Sequence, residues 1–372
     1  MNTPELRQAC ARRLLAAGAQ STQLTAFVGL DGFVDEIIHV VDKRSSAESF
    51  QRLPTIAGLA ARLGAAAGQS ANLELVNHVT KLGGNGPIMA NALAAFGLRV
   101  TYLGTLGYPV LHPVFQDFAR IADVHSITEP GHTDALEFED GKIMLGKHYP
   151  LKEMTWENIQ ARFGRDRFAA HFGAADLVGF VNWTMLPYMS RLWEALLRDL
   201  CPQLTGPRRK LFFDLADPEK RSHADIRQAL ELIQNFERHF DVILGFNEKE
   251  AYEIAEVLGL PAPAHTPAGL TELTAALSRS LPVHMMVVHP VAYALAGCRG
   301  EVCLVEGPFI AKPFITTGAG DHFNAGVCLG KLLGFSPELC VLTGVTTSGF
   351  YVRTGQSPTL ANLADMLQNW PA

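Results

Sequence analysis

The sequence contains no uninterrupted apolar run of 18 residues, so a membrane-spanning helix is not expected. Its most apolar stretch, residues 281–297, is interrupted by two histidines and two prolines. Residues 1–18 predict a short amphipathic helix and lack the long apolar core of a secretory signal. A net charge of −6 offers no attraction to nucleic acid or an anionic membrane. We therefore expect a cytoplasmic protein without a nucleic-acid or membrane partner.

Cysteine motifs are also missing. The six cysteines are scattered, with no C-x-x-C pair and no histidine at zinc-ligand spacing: Cys10, Cys201, Cys298, Cys303, Cys328 and Cys340. We expect reduced, mostly buried thiols, as in cytosolic proteins. The first strand and turn lack G-x-G-x-x-G, which argues against a dinucleotide-dependent oxidoreductase.

Composition and periodicity predict an α/β protein. With 48% hydrophobic and 18% charged residues, the chain is not largely disordered. Strand-like and helix-like segments alternate along its 372 residues, which predicts a largely parallel sheet. Residues of about 33–60 and 125–150 break the alternation, and the second segment resembles a hairpin with Asp140-Gly141 at its turn. They predict a small β-rich lid or, alternatively, edge strands of the same sheet.

The sharpest local motif is P-F-I-T-T-G-A-G-D-H-F-N-A-G, residues 313–326. Gly318, Ala319 and Gly320 lie between a strand and a helix that opens at Asp321, so their amides can converge on an anion. A carboxylate at this helix terminus is placed to accept a proton from a hydroxyl beside a bound phosphate. The alternative is a glycine-rich turn in which Asp321 is an ordinary first-turn residue.

Two further patterns lie in the N-terminal part of the chain. Residues 81–97 contain a Gly-Gly turn before a helix of small residues, which could also be a plain strand-to-helix connection. Asp31 and Asp35 follow the first strand, where carboxylates can bind a vicinal diol. They could equally be turn residues.

Two patterns lie in the middle. Asn247 and Glu250 form N-x-x-E, which is either a metal-organising pair or a helix capping box. Asp217, Pro218 and Arg221 form D-P-x-x-R after a strand, and a solvated turn explains them equally well.

Taken in chain order, these motifs resemble the ribokinase/PfkB family of sugar and nucleoside kinases over roughly residues 25–360. The string T-T-G-A-G-D-H-F-N-A-G resembles the family's C-terminal signature, and the Gly-Gly turn resembles its N-terminal signature. The resemblance implies a single domain over 1–372 with a ribokinase-like three-layer α/β/α sandwich, a mostly parallel sheet and a small β lid. It also implies transfer of the γ-phosphoryl group of ATP to a hydroxymethyl group of a sugar or nucleoside.

The resemblance assigns roles to individual residues. Asp321 would be the general base, and the amides of 318–320 would form an anion hole. The sugar would contact Asp31, Asp35, Gly83, Gly84 and Asn85. Asn247 and Glu250 would organise Mg²⁺ through water, with Thr317 and His289 on the nucleotide side. Lid strands often form dimers in this family, so a homodimer is expected.

Other interpretations stay open. The G-G-N-G-P-I-M-A-N stretch also resembles ADP-dependent sugar kinases, so ADP is an alternative donor. A catalytically silent sugar- or nucleotide-binding regulatory protein is a second alternative. Ile315 occupies a position that is usually Asp, which puts a monovalent-cation site in doubt. Pro290 and Tyr293 replace glycines that are common beside the nucleotide, and Ile88 replaces a common Asn.

Overall fold

A computed structural model describes residues 3–371 and contains two β-sheets. The larger sheet has nine strands, in the spatial order β14 (Glu301–Glu306), β13 (Tyr293–Cys298), β12 (Met285–His289), β11 (Asp241–Asn247), β10 (Lys210–Asp214), β9 (Leu177–Val181), β1 (Thr25–Gly29), β5 (Arg99–Gly104) and β6 (Asp123–Ser126). The strands from β12 to β6 are parallel, and only β13 and β14 pair antiparallel.

Helices cover both faces of this sheet because its central strands are apolar on both sides, as parallel strands usually are. One face carries α5 (Trp156–Arg162), α6 (Arg165–Ala174), α7 (Met189–Asp199), α8 (His223–Phe236), α9 (Glu248–Leu258) and α10 (Pro267–Ser280). The other carries α1 (Pro4–Ala16), α4 (Asn85–Ala95), α11 (Ala319–Leu332), α12 (Pro337–Thr354) and α13 (Leu360–Gln368). Each face has its own hydrophobic core. The predicted three-layer α/β/α sandwich is confirmed.

The smaller sheet contains β3 (Phe50–Arg52), β2 (Phe33–Arg44), β7 (Gly131–Phe138), β8 (Gly141–Lys147) and β4 (Leu75–Gly83), which pairs antiparallel with β2. The helix α3 (Ile56–Ala65) packs beside it over a third, small apolar cluster. The sequence pattern places β4 within the main alternation, but most of its side chains are exposed or half-exposed. Such a strand does not suit a sheet that is buried on both faces.

The boundaries of the two segments that break the alternation also differ from the prediction. Residues 125 and 126 belong to β6 of the larger sheet, and residues 56–60 begin α3. The predicted hairpin is present, but Phe138 pairs with Gly141, so its turn residues are Glu139 and Asp140. The Asp140 carboxylate accepts a hydrogen bond from the Ile56 amide at the start of α3. This bond ties the hairpin turn to α3.

Within residues 3–371, no helix combines the length and hydropathy needed to cross a bilayer. All six cysteines are free thiols, and four of them are buried. The short α2 (Gly18–Ser21) follows α1. The carboxyl ends of β1, β9, β10 and β11 lie at one edge of the larger sheet, where α4 and α11 begin. Ligands of open α/β sheets bind at this edge.

Candidate active site

A cavity of about 400 Å³ lies between the two sheets at this edge. Its wall on the smaller sheet includes Phe33, Asp35, Thr133, Met144 and Gly146. Its floor is formed by residues that follow or end strands of the larger sheet, and by the first turns of α4 and α11. The cavity therefore contains groups from every motif that the sequence singled out.

Asp321 lies in the first turn of α11 and is 6% exposed. Asn85 donates from Nδ2 to Oδ1 of this carboxylate at 3.0 Å, which links the first turns of α4 and α11. Burial raises the pKa of Asp321 well above its ordinary value, and the nearby carboxylates, Asp214 first, add to the effect. A buried carboxylate of high proton affinity, facing a cavity, is suited to general-base chemistry.

The turn before α11 differs from the predicted three-amide anion hole. Gly318 has φ 93°, a left-handed conformation that favours glycine, and it caps the helix. The Ala319 amide donates to the Thr316 carbonyl at 3.1 Å and is therefore used within the turn. Among hydrogen bonds of the described residues, the amides of Gly318 and Gly320 have no protein acceptor. Of the three predicted amides, the structure thus leaves those of Gly318 and Gly320 for an anion.

The Gly-Gly turn makes room for two carboxylates. A Cβ atom on Gly83 would overlap the carboxylate of Asp35. Gly84 has φ 97°, and a Cβ atom there would lie 3.1 Å from Oδ2 of Asp31. The two glycines therefore let β4 and α4 meet directly against these acids, and Gly84 also lines the cavity.

Asp31 is fully buried and does not line the cavity. Its carboxylate accepts hydrogen bonds from the amides of Asn85 and Gly86 and from the side chain of Asn182. The Tyr102 hydroxyl donates to the Asp31 carbonyl at 2.6 Å and also lies 3.3 Å from Oδ1. Burial raises the pKa of Asp31 to about 6, against the lowering effect of these donors. The structure thus differs from the predicted sugar contact, because both oxygens of Asp31 are engaged in fixing the start of α4.

Asp35 faces the cavity instead. It is the third residue of β2, in register with Lys81 of β4 and Thr133 of β7. It is buried yet lines the cavity, and burial raises its pKa while Lys81 opposes that shift. A carboxylate beside a threonine hydroxyl is suited to hold adjacent hydroxyls of a polyol.

Asn247 and Glu250 form a complete capping box and also line the cavity. One Glu250 oxygen accepts from the Asn247 amide and the other from the Asp217 amide, each at 2.9 Å. Burial, with Asp214 nearby, raises the pKa of Glu250. The capping-box interpretation is confirmed, and the metal-organising interpretation stays a prediction. Since both carboxylate oxygens already accept backbone donors, a cation held here fits a contact through water.

The D-P-x-x-R stretch divides into two parts. Ala216 and Asp217 have left-handed φ values of 58° and 56°, and Asp217 lines the cavity with Lys220, which donates to it at 2.9 Å. Pro218 is buried. Arg221 donates to the carbonyls of residues 183, 184 and 186, so it stabilises the loop after β9.

Sequence reasoning missed two residues of the floor. Asp214 ends β10 and accepts from Asn324 of α11 at 2.8 Å, and burial raises its pKa. Asn182 follows β9 and donates to Asp31. Both lie where a buried parallel strand ends, which is the signal that selected Asp31, and the same reasoning could have found them.

A second cavity of about 320 Å³ adjoins the first and shares Asn247, His289 and Gly320 with it. Most of its lining is apolar: Pro290, Val291, Pro308, Phe309, Ile310, Pro313, Phe323, Val345, Gly349 and Val352. Burial lowers the pKa of His289 to about 4, so this ring is neutral. Thr317 lines the first cavity only.

The two cavities differ in charge. Five carboxylates line the first against one lysine: Asp35, Asp214, Asp217, Glu250 and Asp321, with Lys220. No Asp, Glu, Lys or Arg of the described chain lines the second. Clustered carboxylates supply oxygen donors that fit a hard cation such as Mg²⁺. The first cavity is therefore suited to a polar reaction in which a metal ion neutralises charge. The second cavity, beside it, is suited to an apolar ring.

Comparison with known proteins adds independent findings. A family model for prokaryotic ketohexokinase matches residues 2–370. The ketohexokinase of Haloferax volcanii is 30% identical over 337 residues, which cover 90% of this chain and 88% of that protein. The ribokinase of Arabidopsis thaliana, complexed with ribose and ATP, has a TM-score of 0.60 at 16% identity, covering 93% and 98%. A Cryptococcus neoformans ribokinase complexed with ADP has a TM-score of 0.61 at 17% identity, covering 92% and 98%.

At these identities the solved structures establish a ribokinase-like fold, and the resemblance found in the sequence is confirmed. The sequence matches establish the enzyme class, a carbohydrate kinase that phosphorylates a sugar. From its matched length and its curated relative, the chain therefore belongs to the prokaryotic ketohexokinase family.

Proposed function

We propose that this kinase transfers the γ-phosphoryl group of ATP to a hydroxymethyl group of a ketohexose. The observation that carries the proposal is the position of Asp321. Its carboxylate lines the polar cavity, while Gly320, the residue before it, lines both cavities. The acceptor class follows from the name of the curated relative, ketohexokinase. A cytoplasmic location is proposed with it, because ATP is the donor.

The sugar would lie between the smaller sheet and the first turn of α4. Asp35 would accept hydrogen bonds from its hydroxyls, and Asn85 would contact it from the other side. Because Asn85 occupies Oδ1 of Asp321, Oδ2 is left to accept the proton of the attacking hydroxyl. This arrangement orients the acceptor before the phosphoryl group moves, which is a large part of such catalysis.

The phosphates would lie at the start of α11. The amides of Gly318 and Gly320 and the positive end of the helix would stabilise charge on the transferred group. Bound Mg²⁺ would neutralise phosphate charge, held through water by Asn247 and Glu250 with Asp214 nearby. Lys220 is the cationic side chain of the lining and would add to this neutralisation.

The nucleoside would occupy the apolar cavity, with His289 and Thr317 beside the phosphates. Because His289 is neutral, it places no ionised group against the nucleobase. ATP is preferred to ADP as donor because the T-T-G-A-G-D string resembles the ATP-dependent branch of the fold.

The decisive experiment gives the wild-type protein Mg·ATP and, separately, Mg·ADP with fructose, other ketohexoses, aldoses and nucleosides. We expect ketohexose-dependent ADP release, with a sugar phosphate ester identified by ³¹P nuclear magnetic resonance. AMP release from ADP would contradict the donor. Turnover confined to aldoses or nucleosides would contradict the acceptor. A protein that binds ATP but turns over nothing would support the silent regulatory alternative.

We also propose that the smaller sheet forms a homodimer. Val79 and Met144 are 43% and 48% exposed and lie in one cross-strand row with Ile37 and Ala135, so they share a face. Met144 also lines the first cavity, so the row is continuous with the cavity wall. A Val79→Lys variant should sediment as a monomer while wild type sediments as a dimer. Equal masses of the two proteins would contradict the interface.

A further inference from the structure

A stacked pair of aromatic rings lies behind the turn that begins α11. His322 follows Asp321 on α11, and Tyr351 lies on α12, with ring centroids 3.7 Å apart and planes 14° apart. Both side chains are buried, and neither lines either cavity. The pair therefore packs against the turn without forming part of either cavity.

Each ring holds one backbone carbonyl of the turn. The Tyr351 hydroxyl donates to the carbonyl of Thr317 at 3.0 Å. Nδ1 of His322 lies 2.8 Å from the carbonyl of Gly318. Two successive carbonyls, immediately before the phosphate-binding amides, are thus fixed by the same stacked pair.

The tautomer of His322 follows from its partners. A carbonyl only accepts, so Nδ1 carries the proton, and Nε2 accepts from the Ser357 hydroxyl at 2.9 Å. Ser357 in turn accepts from Nδ2 of Asn91 at 2.9 Å. Asn91 is on α4, the helix whose first residue, Asn85, bonds Asp321. This series of hydrogen bonds requires a neutral His322 ring. Burial lowers the pKa of His322 to about 4, so the ring is neutral.

The planarity of the peptide group turns these contacts into an orientation. In a trans peptide the carbonyl and the following N–H point in opposite directions. Because Tyr351 holds the Thr317 carbonyl, the Gly318 N–H points away from Tyr351. Thr317 and Gly318 both line the cavity, whereas Tyr351 does not. Likewise, His322 directs the Ala319 N–H away from itself, and that N–H donates to Thr316.

We propose that the stacked His322–Tyr351 pair is a positioning device that presents the Gly318 amide to the phosphate before substrate binds. The inference rests on the proposed function, since it assigns that amide to the transferred phosphoryl group. Preorganised donors are effective in transfer reactions because they need no rearrangement when charge develops. Neither ring lines either cavity, so the pair acts through the turn rather than by contact with a substrate.

The test compares two tyrosine hydroxyls in the same chain. Tyr351→Phe removes the bond to Thr317 and keeps the ring. Tyr252→Phe is the matched control, because Tyr252 also donates to a backbone carbonyl at 3.0 Å and stacks on a histidine, His265, at 4.0 Å. Tyr252 lines neither cavity. We expect kcat to fall about tenfold in Tyr351→Phe, with the sugar KM within about twofold of wild type, and no change in Tyr252→Phe.

A second pair of variants separates the effect of the His322 hydrogen-bond donor from the effect of ring packing. His322→Asn keeps an N–H donor at the place of Nδ1, whereas His322→Leu removes it. We expect His322→Asn to retain most of the kcat that His322→Leu loses. Equal losses in both would assign the effect to packing and overturn the positioning role of the histidine.

Amide hydrogen exchange of residues 316–323 supplies a readout that does not need activity. The Ala319 and His322 amides are hydrogen-bonded within this turn, so their exchange should accelerate in Tyr351→Phe and not in Tyr252→Phe. If the wild-type protein did not turn over ketohexoses, the proposed function would be refuted. The exchange comparison would still show whether Tyr351 positions the turn. Identical exchange and kcat in Tyr351→Phe, Tyr252→Phe and wild type would overturn the inference.

Discussion

The two cavities that meet at the start of α11 solve different physical problems. The first is lined by five carboxylates and one lysine, and burial raises the pKa of Asp35, Asp214, Glu250 and Asp321. The second is lined largely by prolines and other apolar side chains, with no charged residue among the described ones. The polar cavity holds ionisable groups where burial disfavours their charged form. The apolar cavity contains no such groups and binds through the fit of its lining.

This difference indicates where function has a cost in stability. Clustered buried acids repel one another and lose hydration, so the fold retains them for a charge that arrives with substrate. An apolar cavity has no such cost, and its contribution to binding comes from excluded water and fit. Substitutions of the carboxylates in the first should therefore alter sugar binding, turnover or pH dependence, and substitutions of the apolar lining of the second should alter nucleotide affinity.

The largest effect is expected at the proposed base. Asp321→Asn keeps an acceptor for Asn85 but removes the proton acceptor, so kcat should fall by about 10²- to 10⁴-fold. Calorimetry with ATP and with sugar should show binding close to that of wild type. Turnover near the wild-type rate would remove Asp321 from the base role and break the assignment of chemistry to the polar cavity.

The next effect separates the two acids of the sugar side. Asp35→Asn should raise the sugar KM by about 10- to 100-fold, because a charged acceptor of hydroxyls is lost, with little change in the KM of ATP. Asp31→Asn is its matched control. Four donors surround Asp31, so this variant should lower the free energy of unfolding by about 1–3 kcal/mol. Steady-state kinetics and thermal melts measure the two effects. A loss of stability in Asp35→Asn with a raised sugar KM in Asp31→Asn would exchange their roles.

The apolar cavity gives a smaller and more selective effect. Ser348 of α12 lines it, and Ser348→Trp should fill it, raising the KM of ATP about tenfold with the sugar KM unchanged. Thr354→Trp, exposed at the end of the same helix, controls for the added ring. An equal change in both nucleotide and sugar KM would mean that the two cavities do not act separately.

The smallest effect is on stability. Raised pKa values mean that the folded protein binds more protons than the unfolded chain, whose carboxyls titrate near about pH 4. Stability should therefore fall as pH rises through the folded pKa values, about 6 for Asp31, with Asp214, Glu250 and Asp321 also raised.

Mg²⁺ should oppose that loss where the acids are ionised. Its addition should raise Tm by about 2–4 °C at about pH 8 and by less at about pH 5. Differential scanning calorimetry at both pH values decides the matter, with K⁺ at equal ionic strength as control. A shift that is equal at both pH values, or equal with K⁺, would show that the ionised acids do not attract the divalent cation.

Local sequence patterns predicted most of the elements. The alternation of strands and helices gave the α/β sandwich, and small residues before an acid gave the turn of α11. The sheet to which β4 belongs was not predictable from its own pattern, because strand pairing depends on distant partners. Asp214 and Asn182 were missed for a different reason. The signal at their strand ends is present, but neither residue belongs to a motif, although Asp214 lies three residues before D-P-x-x-R.

By itself, the sequence determined the order of the elements, the motif at residues 316–321 and membership in a kinase fold, since these depend on residues close together in the chain. Only the tertiary structure decided that Asp31 faces the start of α4 while Asp35 faces the cavity. It also decided that the Ala319 amide is used within its turn, and that Tyr351 packs on His322 from 29 positions away. These outcomes depend on which groups satisfy one another in the folded interior, where every buried donor and acceptor needs a partner.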